Sequence, residues 1–275
     1  MRTSTNWTAK GGMVRIEIHD DVAQVVLDRP DKLNAVNPEM LSGVLSAAKH
    51  LRRQRRLRAV ILRGEGRAFC AGMDFKAVLS KPSAMLGAYL QLWRPTRNKF
   101  QRWSLSWREL GVPVIALVQG HCYGAGLQLA LGADIRIASP DARLSVMESK
   151  WGLVPDMGGA VLLRELLRID VAKELTMSGR TVDAHEAHKL GLLSYVDAEP
   201  MSRAESLIEE FRQRSPDAVA AGKFLMQAAW NSSERHAASL ERTWQRRLIG
   251  RANQGISVAR NSGKAQAAFQ ARRIG

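Results

Sequence analysis

The stretch Phe69-Cys70-Ala71-Gly72-Met73-Asp74 and its counterpart Gly120-His121-Cys122-Tyr123-Gly124-Ala125-Gly126 decide the reading of this chain. The first follows the apolar run Ala59-Val60-Ile61-Leu62, the second follows Val114-Ile115-Ala116-Leu117-Val118. Short apolar runs rich in β-branched residues and ended by glycine predict buried strands. Each segment is then expected to open into a helix, whose first backbone N–H groups have no partner within the helix. Two such turns aimed at one oxygen would form an oxyanion hole, stabilising charge that develops on a carbonyl. Glu148 and Asp156 lie downstream, within reach of such a hole.

Outward from these segments, Val14 to Ile18 alternates like a strand, His19-Asp20-Asp21 reads as a turn, and Val22 to Leu27 reads as the returning strand of a hairpin. Asn37-Pro38 reads as an N-cap followed by proline at the first helical position, so a helix is expected from there to about Leu51. A strand starts after Pro113, Leu127 to Leu131 is helical, and Asp134 to Ala138 is a further strand. Strands alternating with helices predict an α/β protein. Residues 76 to 111 are irregular, broken at Lys81-Pro82-Ser83 and Arg94-Pro95-Thr96; Trp93, Trp103 and Trp107 are expected to cover the core or line a pocket. Beyond Ser178 the chain reads as helical. Asp183 caps a helix that Gly191 stops, and amphipathic helices follow over 202–214 and about 216–250. The basic tail from Arg251 to Gly275 is expected to be partly mobile.

The chain has 275 residues, 45% of them hydrophobic, enough for a large core. No apolar run reaches the roughly eighteen residues of a membrane span. Met1 to Trp7 has no apolar signal region, and the two cysteines, Cys70 and Cys122, suit a reduced compartment; a cytoplasmic location is expected. Both cysteines read as small buried hydrophobes. The net charge of +15 admits nucleic acid, anionic surfaces or phosphorylated small molecules as partners. The densest basic cluster, Arg52 to Arg58, falls at a helix end where cations suit the dipole, and no nucleic-acid motif is present. A phosphate-rich ligand is the best functional use of the charge. The glycines of 120–126 are misplaced for a dinucleotide fingerprint, and no G-x-S-x-G elbow exists. His185 and His188 lack further ligand-spaced partners, so no metal site is expected.

Four segments together resemble the crotonase superfamily, the enoyl-CoA hydratases and isomerases. They are Arg29-Pro30-Asp31-Lys32-Leu33-Asn34-Ala35, Ala71-Gly72-Met73-Asp74, Gly120 through Ala130, and Gly179-Arg180-Thr181 with Ala184-His185-Glu186-Ala187 and Leu190-Gly191-Leu192. The resemblance covers roughly residues 14 to 250. It implies a spiral of ββα units over 1–195, carrying the CoA and active sites, and a C-terminal helical trimerisation region with a basic tail over 196–275. It implies an acyl-CoA thioester substrate, as in fatty-acid β-oxidation, with CoA as part of the substrate and no separate cofactor. It also implies a homotrimer or a dimer of trimers. The oxyanion donors fall on the backbone N–H of Met73 and Ala125. The CoA-contacting loops fall on Lys32, Leu33 and Ala35, on Ala71, Gly72, Met73, Asp74 and Phe75, and on Tyr123 and Gly124.

The two catalytic glutamates of the hydratases align with Gln128 and Glu148, so only the second is retained. An amide cannot exchange protons as a carboxylate does. Asp156 resembles an acidic position of dienoyl-CoA isomerases, and it is equally placed to cap the helix that follows. Double-bond isomerisation is therefore favoured narrowly over hydration of a 2-enoyl-CoA. An RNA-binding relative and a non-catalytic CoA-binding relative are the other readings. With Glu148 as the acid/base, Gln128 is expected on the cavity wall and Asp156 pointing into the same cavity.

Overall fold

Alternation along the first strands has the expected consequence. β1 (Thr5–Thr8), β2 (Val14–His19) and β3 (Val22–Leu27) form an antiparallel meander, and the β2–β3 turn places Asp20 and Asp21 at positive φ. The computed structural model describes residues 5–79, 87, 89–264 and 267–275. The Lys81-Pro82-Ser83 break and Met1 to Ser4 lie outside the described residues. The helix Pro38–Arg52 follows, with the Asn37 side chain accepting from Met40 N at 2.8 Å.

From here the chain winds in turns of one kind. β4 (Ala59–Gly64) enters the large sheet, the first glycine segment follows, and a short helix, Phe75–Leu79, completes the turn. β5 (Val114–Val118) enters the large sheet, β6 (His121–Tyr123) enters a small one, and the helix Ala125–Leu131 follows. β7 (Ile135–Ala138) and β8 (Arg143–Ser145) repeat the division. β9 (Thr181–Asp183) closes the small sheet and β10 (Tyr195–Val196) the large one. The large sheet runs β1-β2-β3-β4-β5-β7-β10, parallel from β3 onward; the small sheet runs β6-β8-β9. β5 is buried along its whole length, which is why it reads as a continuous apolar run. Trp103 and Trp107 are fully buried in the core, whereas Trp93 is exposed.

The C-terminal region is helical, as its periodicity predicts. The helix Pro200–Arg212 packs its buried Ala204, Leu207 and Ile208 on β5 and β7. The helix Pro216–Ala229 is tied to the core by Lys223, whose buried ammonium pairs with Asp134 at 2.8 Å and donates to the Val112 carbonyl. The stretch expected to be helical over about 216–250 forms two helices, Pro216–Ala229 and Glu234–Leu248, with Ser233 capping the second. The tail is anchored along much of its length. It forms a further helix, Ala252–Asn261, and its end docks on the core. Arg272 is buried and its N–H donates to the Arg55 carbonyl, while Asp217 Oδ1 accepts from Arg273 N and Ile274 N.

Candidate active site

The two glycine segments lie side by side because they pair as strands. Cys70 bridges Cys122 in parallel register, Cys70 N donates to His121 O, and Tyr123 N donates to Cys70 O, both at 3.0 Å. The close approach needs glycine. A Cβ on Gly126 would overlap the Cys70 carbonyl, and Gly72 adopts φ +96° against Tyr123 O. Burial pushes the Cys70 thiol up to about 12 and raises Cys122 as well, so both sulfurs serve as inert packing.

This pairing also aims two amides. Val36 N donates to Gly72 O at 2.7 Å, and in a planar trans peptide that turns the Met73 N–H the opposite way. Gly124 O accepts from Gln128 N at 2.9 Å inside the helix, so the Ala125 N–H points out of its N-terminal end. Among the described residues neither the Met73 nor the Ala125 amide donates to another backbone group. Trp103 Nε1 donates to Ala125 O at 2.8 Å and fixes that end from within the core.

Both residues line one cavity of about 510 Å³. Its wall is largely apolar: Phe75, Tyr89, Leu92, Phe100, Trp151 and Met157 contribute, with Phe75 and Trp151 in ring contact at 4.4 Å. Two acids, Glu148 and Asp156, break that wall. Glu148 opens a 3₁₀ turn, Glu148–Trp151, shortly after β8. Its Oε1 accepts from Gln128 Nε2 at 2.6 Å, and its Oε2 is buried with no hydrogen-bond partner. Burial raises its pKa, and neighbouring Asp156 adds to the rise, against the opposing hydrogen bond from Gln128. Burial likewise raises Asp156.

Gln128 is not on the cavity wall as expected but stands behind Glu148, 2% exposed. Its Oε1 accepts from both Met157 N and Gly159 N at 2.8 Å. Only the carbonyl oxygen can accept two N–H donors, so the amide group is forced toward Glu148. The helix Gly159–Leu166 has glycine, Gly158, at its N-cap with no side-chain cap bond. Gln128 takes an N-terminal amide of that helix from across the fold, and Asp156 does not cap it. Sequence reasoning missed this role, because the two partners of Gln128 are backbone groups distant in the chain.

The candidate CoA contacts divide. Ala71, Gly72, Met73, Phe75 and Gly124 line the cavity. Lys32, Leu33, Ala35, Asp74 and Tyr123 do not. Asp74 pairs with Arg29 at 2.8 Å and accepts from Ala77 N, interactions that hold its pKa below the usual carboxylate range. Leu33 O accepts from Ala71 N, and the Tyr123 hydroxyl bonds His121 Nδ1. These contacts fasten the 29–35 loop beside the first glycine segment.

A spiral whose paired turns leave two amides free over a pocket with buried acids has the parts an enzyme would need to hold a negatively charged oxygen. The enoyl-CoA hydratase/isomerase family model matches residues 17–272. The human enoyl-CoA hydratase domain-containing protein 2, mitochondrial, is 32% identical over 209 residues, covering 74% of this chain and 69% of that protein. An enoyl-CoA hydratase of Mycobacterium tuberculosis is 34% identical over 202 residues, covering 72% and 73%. The crystal structure of a Mycobacterium smegmatis enoyl-CoA hydratase superposes with a TM-score of 0.84 at 27% identity, covering 94% of this chain and 98% of that one. The chain belongs to the enoyl-CoA hydratase/isomerase family and has the crotonase fold.

Proposed function

We propose that this enzyme moves a double bond in an enoyl- or dienoyl-CoA thioester. The observation that carries the reading is the asymmetry of Glu148: Gln128 occupies one carboxylate oxygen, and the other is buried and unpartnered. In this reading the Glu148 carboxylate takes the proton from the carbon next to the conjugated system. The electron pair moves onto the thioester oxygen, where the Met73 and Ala125 N–H groups hold it as a dienolate. Glu148 or Asp156 returns a proton at the far end of the system, so no atom is gained or lost. Burial raises the pKa of both acids, which favours holding a proton that is taken up and then returned. Ala71 to Phe75 and Gly124 bind the thioester end of the substrate. Exposed apolar side chains on the C-terminal helices, Met226, Trp230 and Ile249, support a homotrimer or a dimer of trimers.

Hydration of a 2-enoyl-CoA is the second reading, favoured by the names of the relatives. It needs a held water, and Gln128 has both ends of its amide engaged. The test is a side-by-side assay of 2-enoyl-, 3-enoyl- and 3,5-dienoyl-CoA with the wild type and Asp156→Asn. Isomerase turnover should exceed hydration in the wild type and fall about tenfold or more in Asp156→Asn without loss of melting temperature. Efficient hydration untouched by Asp156→Asn would establish the hydratase instead.

A further inference from the structure

We propose that a second cleft, separate from the acyl cavity, binds a phosphate monoester. It measures about 360 Å³ and lies between the helix Pro38–Arg52 and the chain from Arg102 to Glu109. No residue lines both this cleft and the acyl cavity. The helix Lys99–Leu105 borders each of them, with Phe100 on one and Arg102 on the other, as two positions on opposite sides of a helix must be.

The cleft is built from two facing rows. Ser42, Ser46 and Lys49 stand at i, i+4 and i+7 on one helix, and so share one face. Arg102 and Ser106, again four apart, stand opposite, and Arg52 closes the end. Among the described residues none of the three serine hydroxyls bonds another protein group. The charge is unbalanced. Glu109 is the one acid lining the cleft, and it already serves two guanidiniums, Arg52 at 3.0 Å and Arg97 at 3.6 Å. Lys49 and Arg102 have no acidic partner among the described residues. Like charges gathered at a concave surface repel, and a bound dianion relieves that repulsion while taking hydrogen bonds from hydroxyl and guanidinium donors. A carboxylate would use fewer of those donors than the three terminal oxygens of a phosphate. The volume leaves room for a small polar body attached to it. Nothing in the acyl chemistry uses these residues, and the proposal stands whatever double-bond reaction the enzyme performs.

The test is calorimetric titration of the full-length protein at low ionic strength with inorganic phosphate and with glucose 6-phosphate. Both should bind, and affinity should weaken as salt is added. Lys49→Met with Arg102→Met should weaken binding at least tenfold. Ser42→Ala with Ser46→Ala, which keeps every charge, should weaken it about threefold or more. Lys173→Met with Lys189→Met removes the same charge from other exposed sites and should leave binding as it is. Absence of phosphate binding would overturn the proposal. So would equal loss in the two charge-removing pairs, or an unchanged affinity in the serine pair, since either reduces the effect to diffuse attraction by a basic surface.

Discussion

Two walls that interrupt the apolar lining of the cavity are made of different material. One consists of backbone: the amides of Met73 and Ala125, aimed by the carbonyls of Gly72 and Gly124 that are bonded elsewhere. The other consists of side chains: Glu148 and Asp156 facing the cavity, with Gln128 behind them. The backbone wall is fixed by strand pairing between Cys70 and Cys122 and does not depend on which side chains Met73 and Ala125 carry. The side-chain wall depends on single atoms. In the proposed reaction the first would stabilise the oxyanion and the second would select where the proton goes.

Substituting the side-chain wall should therefore lower turnover and leave the backbone wall standing. The largest effect is expected from Glu148→Gln, which keeps shape and loses the base. Turnover should fall about a hundredfold or more with little change in acyl-CoA affinity, measured by steady-state kinetics and equilibrium binding. Near-normal turnover would move the chemistry away from Glu148.

A smaller but wider effect is expected from Gln128→Ala. It leaves Met157 N and Gly159 N without their acceptor, at a cost of about 1–3 kcal/mol for each buried donor left unpaired. Denaturant melting should show that loss. Gln128→Glu, which keeps the acceptor, should restore most of the stability while setting two carboxylates against each other. If Gln128→Ala melts like the wild type, the two walls are less interlocked than their hydrogen bonds imply.

The smallest effect is a pH dependence of stability. Burial raises Glu148 above its unfolded value, so the folded protein holds its proton more tightly. That contribution is fully present below the ordinary carboxylate range and is lost as pH rises through the raised value. Glu148→Gln cannot ionise, so its melting temperature relative to wild type should climb across that window. A difference that stays flat from acid to neutral pH would show that burial does not govern this carboxylate.

The backbone wall was largely legible in the sequence and the side-chain wall only in part. Apolar runs ended by glycine announce strands and turns, and Asn37-Pro38 announces a helix start, because these are local rules. The cross-chain acceptor at Gln128 has no local signature, and a helix capped by glycine at Gly158 makes Asp156 look like a cap it is not. Ser233, a local cap, sets where the second helix of the expected helical stretch over about 216–250 begins. The docked end of the chain rests on Asp217 and Arg55, far away in sequence, so composition alone did not announce that docking.

The pairing of Cys70 with Cys122 has a consequence for how such a protein can change over generations. Because the two donor amides are positioned by main-chain contact, mutation of surrounding side chains leaves their spacing intact until the fold itself fails. If the two amides hold an oxyanion as proposed, the acids could then be exchanged one at a time, and the lineage would retain that anion trap at every step while it explores a different proton transfer.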